Sequence, residues 1–579
     1  MTTLVPKFQQ TGASAVKRAI NLKLAESVSI KDFGAVGDGV TDDTVAIQAA
    51  INSGASQIVY PKGTFLATNL TLVSDQRHIG EGATLLKPVN GLNLFSGVSV
   101  SEVEFNGLRF QSTDAATHCI LLQGTLSPAS CCEDIKVLNC SAYGGIQLFA
   151  TYQPAGSVYS TITDAMLAKN ILVADNRCTG TNAAKTSGGI GAIAFYYAKD
   201  WIAQGNYVES FQHGITWWGG DAAPNTGDGL LANTRKCYNA VINGNISRNM
   251  GGGGIWGAMG RQMAISGNTV RDCADVGIDL EGCLDSIVSG NYVQDCNNGC
   301  LVTYNLMYGV VFSGNECVST VAGRNIVMHN IGGLSTQAGI EQSRDLVLDG
   351  NTFRCVEPTA VCSVTGGFIQ NLIFTNNTLL NCVVSYTDDQ YGGVRFDTFD
   401  GNKFTFDNTI LTAIKVLESS NAHAGSVIQN NTFQTYANQQ SNTVCIYQSS
   451  YSFATGESHE ISGNTFTTFG GIFWDFNINC ISDQTLPGSV AIQYQILNNR
   501  FAATNNFTRS ATGNMILIGN TDHLCRPVPK YTLPSTAPSG TWNVGQIAYV
   551  ETPASGGFIG AVCTVGGTPG TYNTFGLIS

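Results

Sequence analysis

The sequence contains few charged residues. Asp, Glu, Lys and Arg together make up 12% of the 579 residues, well below the roughly 25% that is usual in globular proteins. Acidic residues outnumber basic ones by 41 to 29, so the net charge is −12. Binding to nucleic acid or to an anionic membrane surface normally requires basic patches. The composition therefore argues against a nucleic-acid partner and against a membrane-surface protein.

Long apolar runs and metal-ligand motifs are also absent from the sequence. No stretch approaches the roughly 20 apolar residues of a membrane-spanning helix, so we expect no membrane insertion. The first ten residues, MTTLVPKFQQ, lack the apolar centre of a signal peptide. No CxxC pair or Cys/His cluster has the spacing of zinc ligands. We predict no metal site and no cofactor.

The 18 cysteines do not have the spacing of a secreted disulfide framework. Cys273, Cys296 and Cys382 each lie five residues after a recurring asparagine. Equivalent positions in successive turns of a β-solenoid stack about 4.8 Å apart. We therefore predict a ladder of reduced, buried thiols that pack as small apolar side chains, in a protein made in a reducing compartment.

An apolar strand that ends in Gly-Asn or Asn-Asn recurs through most of the chain. The first copies are 23, 23 and 24 residues apart, and a fixed period of this length indicates a solenoid. Gly and Asn both tolerate positive φ, which a sharp corner between strands requires. The repeat therefore predicts a β-solenoid. The corner asparagines include Asn245, Asn268, Asn291, Asn315, Asn351, Asn377, Asn431 and Asn464.

The segment from Val28 to Phe65 contains the string DFGAVGDGVTDDTVAIQAAI and then VYPKGTF. This segment resembles the opening of the pectate-lyase-like superfamily of right-handed parallel β-helices, in the form found in bacteriophage tailspikes. The resemblance implies an all-β fold, a single-stranded right-handed parallel β-helix with an amino-terminal capping helix. The apolar pattern after Asp42 is helical, with Thr41 or Asp42 as its cap. A similar pattern predicts a second helix within 14–25.

Three segments are expected along the chain. Residues 1–25 are a short leader, and 26–521 are the β-helix with its capping helix and catalytic groove. A cluster of prolines then introduces a small β-structured module at 522–579. The resemblance implies that the leader attaches to a phage tail adaptor protein, and that the module serves trimerisation or glycan contact. It also implies a homotrimer located in the virion and made in the host cytoplasm.

Aligning the strands on their Gly-Ile pairs predicts a strip of aromatic and polar side chains on one outer face. Alternate residues of a strand point to opposite faces, so Ile215, Ile278 and Ile326 would point inward. Aromatic faces suit sugar rings, and the outward residues are therefore candidates for carbohydrate binding or cleavage. The outward set is Trp218, Trp256, Asp279, Glu281, Tyr304 and His329, and Tyr196 would extend it.

Two of the outward residues are carboxylic acids. Asp279 and Glu281 lie two apart on one strand, which places them about 6.5–7 Å apart, at the lower end of the range for inverting glycosidases. Asp221 follows a neighbouring strand and is a third candidate acid. We assign Glu281 as general acid and Asp279 as general base. The string Gly277-Ile-Asp-Leu-Glu-Gly282 resembles the acidic strand of endoglycosidase tailspikes that cleave O-antigen.

The expected function is that of a tailspike that binds and hydrolyses a bacterial surface polysaccharide, either lipopolysaccharide O-antigen or capsule. The Gly-His-Gly element of polygalacturonases and the Arg-x-Pro-x-x-Arg element of pectate lyases are missing. Two alternatives remain open. One is a polysaccharide lyase, with Tyr304 or His329 removing a proton beside a uronate. The other is a non-catalytic adhesin, in which the strip only binds.

Overall fold

A computed structural model gives the fold as two compact units. The first unit comprises residues 1–222 and 232–286, and the second comprises 223–231 and 287–579. The structure describes residues 6–82, 84–86, 92–112, 118–186, 191–222, 229–321, 324–330, 343–356, 360–364, 369–387, 397–407, 415–421, 425–436, 444–450, 458–468, 476–482, 493–501, 507–509, 514–521, 530–531, 544, 547–550, 555–567 and 570–579.

The first unit is a parallel β-helix in which each turn after the first contributes one strand to each of three sheets. Strand neighbours in each sheet follow chain order. The first sheet contains Ser27–Ser29, Gln57–Tyr60, Gln76–Gly80, Ser101–Asn106, Glu133–Leu138, Ala168–Ala174, Ala198–Gln204, Cys237–Asn243 and Gly260–Ser266. The second contains Asp38–Asp42, Thr64–Leu66, Thr84–Leu86, Arg109–Gln111, Ser141–Tyr143, Arg177–Thr179, Tyr207–Glu209, Ile246–Arg248 and Thr269–Arg271. The third contains Leu70–Thr71, Phe95–Val98, His118–Gln123, Gln147–Tyr152, Ile193–Tyr196, Ile215–Trp218, Ile255–Ala258 and Val276–Glu281.

The second unit repeats the same architecture. The strand Leu284–Ser289 contains the point at which the chain passes from one unit to the other. The first sheet then contains Tyr308–Ser313, Ser343–Asp349, Ile369–Thr375, Asp397–Asp400, Val427–Gln429, Ser458–Ser462, Gln493–Leu497 and Asn514–Ile518. The second contains Tyr292–Gln294, Glu316–Ser319, Thr352–Cys355, Thr378–Leu380, Lys403–Phe406, Thr432–Thr435 and Thr465–Thr468. The third contains Gly299–Tyr304, Val327–Asn330, Ala360–Val364, Cys382–Thr387, Lys415–Asn421, Val444–Ser450, Phe476–Ser482 and Phe507–Arg509. The predicted right-handed parallel β-helix is confirmed.

The recurring asparagine has a different structural role from the one that the sequence suggests. At the Gly-Asn corners it is the glycine that adopts the left-handed conformation, as at Gly244 with φ 63°. Asn245 itself is 1% exposed. Its side-chain amide donates to the carbonyl of Ala203 at 2.9 Å and to Oδ1 of Asn268 at 3.0 Å. Buried amides of successive turns therefore hydrogen-bond into a ladder, and this satisfies groups that would otherwise be costly to bury.

The ladder is present in both units. In the first unit it joins Asn176, Asn206, Asn245 and Asn268. In the second it joins Asn291, Asn315, Asn351, Asn377, Asn402, Asn431, Asn464, Asn499 and Asn520. This pattern explains why the repeat ends on asparagine even where glycine has been replaced, as in the Asn-Asn corners.

The amino-terminal capping helix forms after Asp42 as predicted, over Thr44–Ile51, but its N-cap residue is Asp43 rather than the predicted Thr41 or Asp42. Oδ1 of Asp42 accepts from the backbone N–H of Thr44 at 3.0 Å. The helix predicted within 14–25 is mostly wrong, because it is confined to Ile20–Leu24 and follows a short antiparallel pair, Lys7–Phe8 with Arg18–Ala19. Other short elements are the helix Asn182–Thr186, the hairpin Thr125–Leu126 with Ala129–Ser130, and 3-10 turns at Ile30–Phe33, Tyr159–Thr161 and Asp164–Met166.

The three cysteines that the sequence singles out are buried and have free thiols. Cys273, Cys296 and Cys382 are each at most 2% exposed, and all three are unbridged. The predicted packing of these cysteines as small apolar side chains is confirmed.

The carboxyl-terminal module contains a sheet of its own. The strands are Lys530–Tyr531, Ile547–Val550, Phe558–Val565 and Thr571–Leu577. They lie within the predicted segment 522–579, whose proline cluster lies outside the described residues. Among the described residues, no helix is long and apolar enough to cross a membrane.

Candidate functional site

The candidate site lies on the outer face of the third sheet of the first unit. The strands Ile215–Trp218, Ile255–Ala258 and Val276–Glu281 pair in parallel, with Ile215, Ile255 and Ile278 in register. This is the alignment that the Gly-Ile pairs predict. The inward column is fully buried. Two outward columns result: one contains Thr216, Trp256 and Asp279, and the other contains Trp218, Ala258 and Glu281.

A glycine makes room for the core beneath this face. Gly257 pairs with Trp217, which is fully buried. A Cβ at Gly257 would lie 2.3 Å from the indole Cδ2 of Trp217, which no packing adjustment of a rigid ring tolerates. Glycine at this position therefore lets a large aromatic core side chain support the strands that carry the carboxylic acids.

The carboxyl group of Asp279 is buried. The residue is 4% exposed, and among the described residues Oδ1 has no hydrogen-bond partner. Burial raises the pKa of Asp279 well above its ordinary value, and the negative charges of Glu281 and Asp275 raise it further. A desolvated carboxyl group beside other acids favours its neutral form, so Asp279 is the proton-holding member of the pair.

Glu281 occupies a different environment two residues later. It is part-exposed, and Oε1 accepts a hydrogen bond from the indole Nε1–H of Trp256 at 3.0 Å. Burial raises the pKa of Glu281, whereas the bond from Trp256 lowers it. The carboxylates of Asp275 and Asp221 add to the upward shift. The donated hydrogen bond therefore makes Glu281 the more easily ionised of the two acids.

Trp256 is held between two other rings. The imidazole of His213 stacks on its indole, with centroids 4.8 Å apart and planes 18° apart. The ring of Trp218 lies 6.1 Å away at 43°. Neither His213 nor Asp275 was among the residues predicted from the sequence. His213 lies two residues before the strand Ile215–Trp218. The available signal in the sequence was the run of glycines at 251–254, which indicates that the backbone there approaches other groups closely.

An aromatic column leads away from the two acids along the sheet. Trp218 pairs with Tyr196, and the rings of Tyr196 and Tyr152 lie 5.3 Å apart at 76°. All three are part-exposed. The outward orientation predicted for Trp218 and Tyr196 is therefore present, and Tyr152 extends the column by one more turn. The spacing suits contact with successive sugar rings.

An inserted segment walls this column. The chain between the strands Gln147–Tyr152 and Ala168–Ala174 carries two 3-10 turns and a buried cluster of Ile162, Met166 and Leu167. Tyr196 and Trp218 pack against that cluster. Nearby, the Tyr159 hydroxyl donates to the carbonyl of Thr234. The inserted segment therefore forms a wall along one side of the aromatic column.

The remaining predicted residues divide into two groups. Asp221 is exposed and follows the strand Ile215–Trp218. Tyr304 is part-exposed at the end of the strand Gly299–Tyr304 in the second unit. Both remain candidates, Asp221 through its charge near Glu281.

The outward orientation predicted for His329 is wrong. Leu301 pairs with Val327 rather than with Ile326, so His329 aligns with Thr303 on the inward face. His329 is fully buried, and its Nδ1 lies 2.8 Å from Oγ1 of Thr303. Burial lowers the pKa of His329 to about 3. A register error of one residue exchanges the two faces of a strand, and His329 is a core residue rather than a contact for substrate.

Comparisons with known families cover two parts of the chain. The family described as rhamnogalacturonase A/epimerase, pectate lyase-like, matches residues 27–120. The family described as a right-handed beta helix region matches residues 192–332. The second range contains the strands that carry Trp218, Trp256, Asp279 and Glu281.

Individual relatives match over short stretches. The plasmin and fibronectin-binding protein A of Streptococcus pneumoniae is 37% identical over 81 residues, which are 13% of this chain and 11% of the relative. A tail spike protein of an Escherichia phage is 52% identical over 48 residues, 8% of this chain and 6% of the relative. The matches thus span about a tenth or less of the length of these curated relatives.

A solved structure, the A-module of a mannuronan C-5 epimerase of Azotobacter vinelandii, aligns with 63% of this chain and 99% of its own, at 14% identity and a TM-score of 0.49. The two family matches and the three-sheet solenoid agree with each other. Residues 27–120 are therefore similar to a pectate-lyase-like family and residues 192–332 to a right-handed β-helix family, and part of the chain resembles a phage tail spike protein.

Proposed function

We propose that this protein is a phage tailspike that binds a bacterial surface polysaccharide, O-antigen or capsule, and cleaves it by endoglycosidic hydrolysis. The observation that carries the proposal is the pair of unlike carboxyl groups on one strand. Asp279 is buried with an oxygen that no described residue satisfies, and Glu281 is part-exposed and hydrogen-bonded by Trp256. Two titratable groups whose environments separate their pKa values form an acid and a base.

The environments favour the reverse of the roles assigned from the sequence. Asp279, which holds its proton, is the general acid and donates it to the glycosidic oxygen of the scissile bond. Glu281, which ionises more easily, is the general base and takes a proton from the attacking water. Two residues of strand rise separate them by about 6.5–7 Å, which leaves room for that water and predicts inversion at the anomeric carbon.

The charges around the pair favour a hydrolase over a lyase. A lyase would bind a uronate here, but the groups that raise the pKa of Asp279 and Glu281 are other carboxylates, Asp275 and Asp221 among them. A second negative charge in the same place is unfavourable. One of the two bases considered for elimination, His329, is buried in the core. The reacting sugar is therefore expected to be uncharged.

A non-catalytic adhesin is the second candidate, and one observation favours it. Asp279 is 4% exposed beneath this aromatic face, so a ligand that binds the aromatic column does not automatically reach the acid. The relative from Streptococcus pneumoniae carries a binding name rather than an enzymatic one.

One experiment separates the three activities. The protein is incubated with a panel of purified O-antigens and capsules, and fragments are identified by mass spectrometry and by reducing ends. Hydrolysis gives new reducing ends without ultraviolet absorption, elimination gives unsaturated uronates that absorb, and an adhesin gives retention without fragments. Absence of fragments from a polysaccharide that is bound would refute the hydrolase.

The proposed assembly is a homotrimer that attaches to a tail adaptor protein through residues 1–25. An outward column of aliphatic side chains on the first sheet supports the homotrimer. Leu172, Ile202 and Val241 are in register in this column, and Ile202 and Val241 are 37% and 39% exposed. A second copy would cover such a column. Two exposed leucines in the leader, Leu22 at 61% and Leu24 at 66%, support the attachment to an adaptor protein.

A further inference from the structure

The orientation of the Trp256 indole decides whether Glu281 receives a hydrogen bond. Its Nε1–H reaches Oε1 of Glu281 at 3.0 Å, across one turn of the solenoid. A tryptophan side chain has two torsions, so this contact requires that the plane of the ring be fixed. One near-parallel neighbour does so: the imidazole of His213, 4.8 Å away and tilted by 18°.

The imidazole of His213 is itself held in place. Its Nδ1 accepts a hydrogen bond from the backbone N–H of Gly253 at 3.0 Å. The loop that provides this N–H fits closely around both rings. A Cβ at Gly252 would lie 2.5 Å from Cε1 of His213, and a Cβ at Gly253 would lie 2.8 Å from Cβ of Trp256. The glycines thus let the backbone approach the stacked pair closely enough to bond it.

From this geometry we propose that His213 is a positioning residue, whose ring holds Trp256 at the angle that keeps Glu281 hydrogen-bonded and ready to ionise. The proposal rests on the function proposed above for the role of Glu281 in cleavage. The contact between the three side chains is independent of that function.

Charge on His213 would undo the arrangement. Nδ1 accepts from an N–H, so a proton on Nδ1 would place two donors face to face. Burial lowers the pKa of His213 to about 4, although the nearby carboxylate of Asp275 favours the charged form. The ring is therefore neutral above that pH. The charged groups acting on Glu281 are Asp275 and Asp221, with Asp279 on the same strand, and the buried Arg235 donates to the carbonyl of the adjacent Gly282 at 2.7 Å.

The test follows the indole N–H directly. Protein labelled with ¹⁵N-tryptophan gives an indole resonance for Trp256, assigned with Trp256→Phe, and its shift is recorded against pH as Glu281 titrates. In His213→Ala, we expect the midpoint to rise by about one pH unit, the equivalent of one hydrogen bond to a charged group. His213→Phe restores a flat ring on the indole and is expected to return the midpoint towards that of the parent.

A matched control exists in the same unit. His78 also stacks on an aromatic ring, that of Phe105, with centroids 4.7 Å apart and planes 15° apart. Its Nδ1 also has a partner, the hydroxyl of Tyr60 at 2.9 Å. His78→Ala therefore removes a similar stack from another part of the fold, and it should leave the Trp256 resonance and its midpoint unchanged.

The outcomes separate this proposal from the proposed function. If cleavage occurs, the acidic limb of kcat/KM should move upwards with the resonance in His213→Ala. If no substrate is cleaved but the midpoint of the Trp256 resonance still shifts in His213→Ala, then His213 positions Trp256 and the proposed hydrolase activity is wrong. An unchanged midpoint in His213→Ala overturns the positioning role. If that variant does not fold, Gly252→Ala serves instead, because its new Cβ displaces the imidazole, and an unchanged midpoint there has the same meaning.

Discussion

Replacing Asp279 with asparagine should make the protein more stable and less active. The amide has nearly the shape of the carboxyl group but cannot ionise. Asp279 is 4% exposed, its Oδ1 lacks a partner among the described residues, and its pKa is raised by burial and by the charge of Glu281. Each of these features opposes the charged form. The Asp279→Asn variant is thus free of a cost that the parent bears, and it loses the proton that the proposed general acid transfers.

The effect on stability depends on pH with a defined sign. Because the pKa of Asp279 is higher in the folded state than the ordinary 3.8 of an unfolded chain, the folded parent binds more protons and its stability falls as the pH rises from there. Below pH 3.8, Asp279 is protonated in both the folded and the unfolded state, and the variant gains no stability over the parent. Above that value the variant should gain about 1.4 kcal/mol for each pH unit up to the folded-state pKa of Asp279, because only the parent loses a proton on unfolding.

The assay compares unfolding in urea and cleavage in the same preparations. Urea midpoints of Asp279→Asn and the parent should agree near pH 3.5 and differ in favour of the variant near pH 7.5, on either side of the ordinary carboxyl pKa. Cleavage should fall about 10³-fold. Asp272→Asn is the control, because Asp272 is exposed in the turn before the same strand. A variant that is less stable than the parent at neutral pH, or that cleaves within about threefold of it, would refute the reasoning.

Three further results are expected. Trp256→Ala should weaken oligosaccharide binding by about 1–2 kcal/mol in titration calorimetry, since a stacking ring and its burial are lost; unchanged affinity would remove it from the site. Deleting residues 523–579 should lower the thermal resistance of a trimer, whereas light scattering that gives a mass near 61.2 kDa for the intact chain would contradict the trimer. The buried thiols of Cys273, Cys296 and Cys382 should react slowly with a maleimide in the native state and rapidly in denaturant. A disulfide between any of them, detected by mass spectrometry under non-reducing conditions, would contradict their assignment as free thiols.

The fold could be predicted because its signal is repeated. Each turn contributes another strand and another corner asparagine, so an error in one turn does not disturb the rest. The function of the asparagine could not be predicted with the same ease, because φ preference and a buried amide ladder favour the same residue. Asn245 is conspicuous in either case, but its contact with Asn268 depends on how the turns stack.

The site was predictable where the pattern of one strand decides it. Asp279 and Glu281 share an outward face because they are two apart, and the Gly-Ile pairs fix their register with Trp256. The degree of burial could not be predicted, since it depends on neighbouring turns. His329 was misplaced because the apolar run before it allows two registers, and His213 was missed because its contact with Trp256 crosses 43 residues of sequence.

The asparagine ladder has a consequence for how such a chain changes in evolution. Successive members of the ladder in the second unit are separated by 24, 36, 26, 25, 29, 33, 35 and 21 residues. The amide contacts remain between 2.9 and 3.0 Å throughout. Insertions and deletions between two asparagines are therefore absorbed within a single turn. The loops above the sheets are free to diversify in length while the scaffold keeps its register.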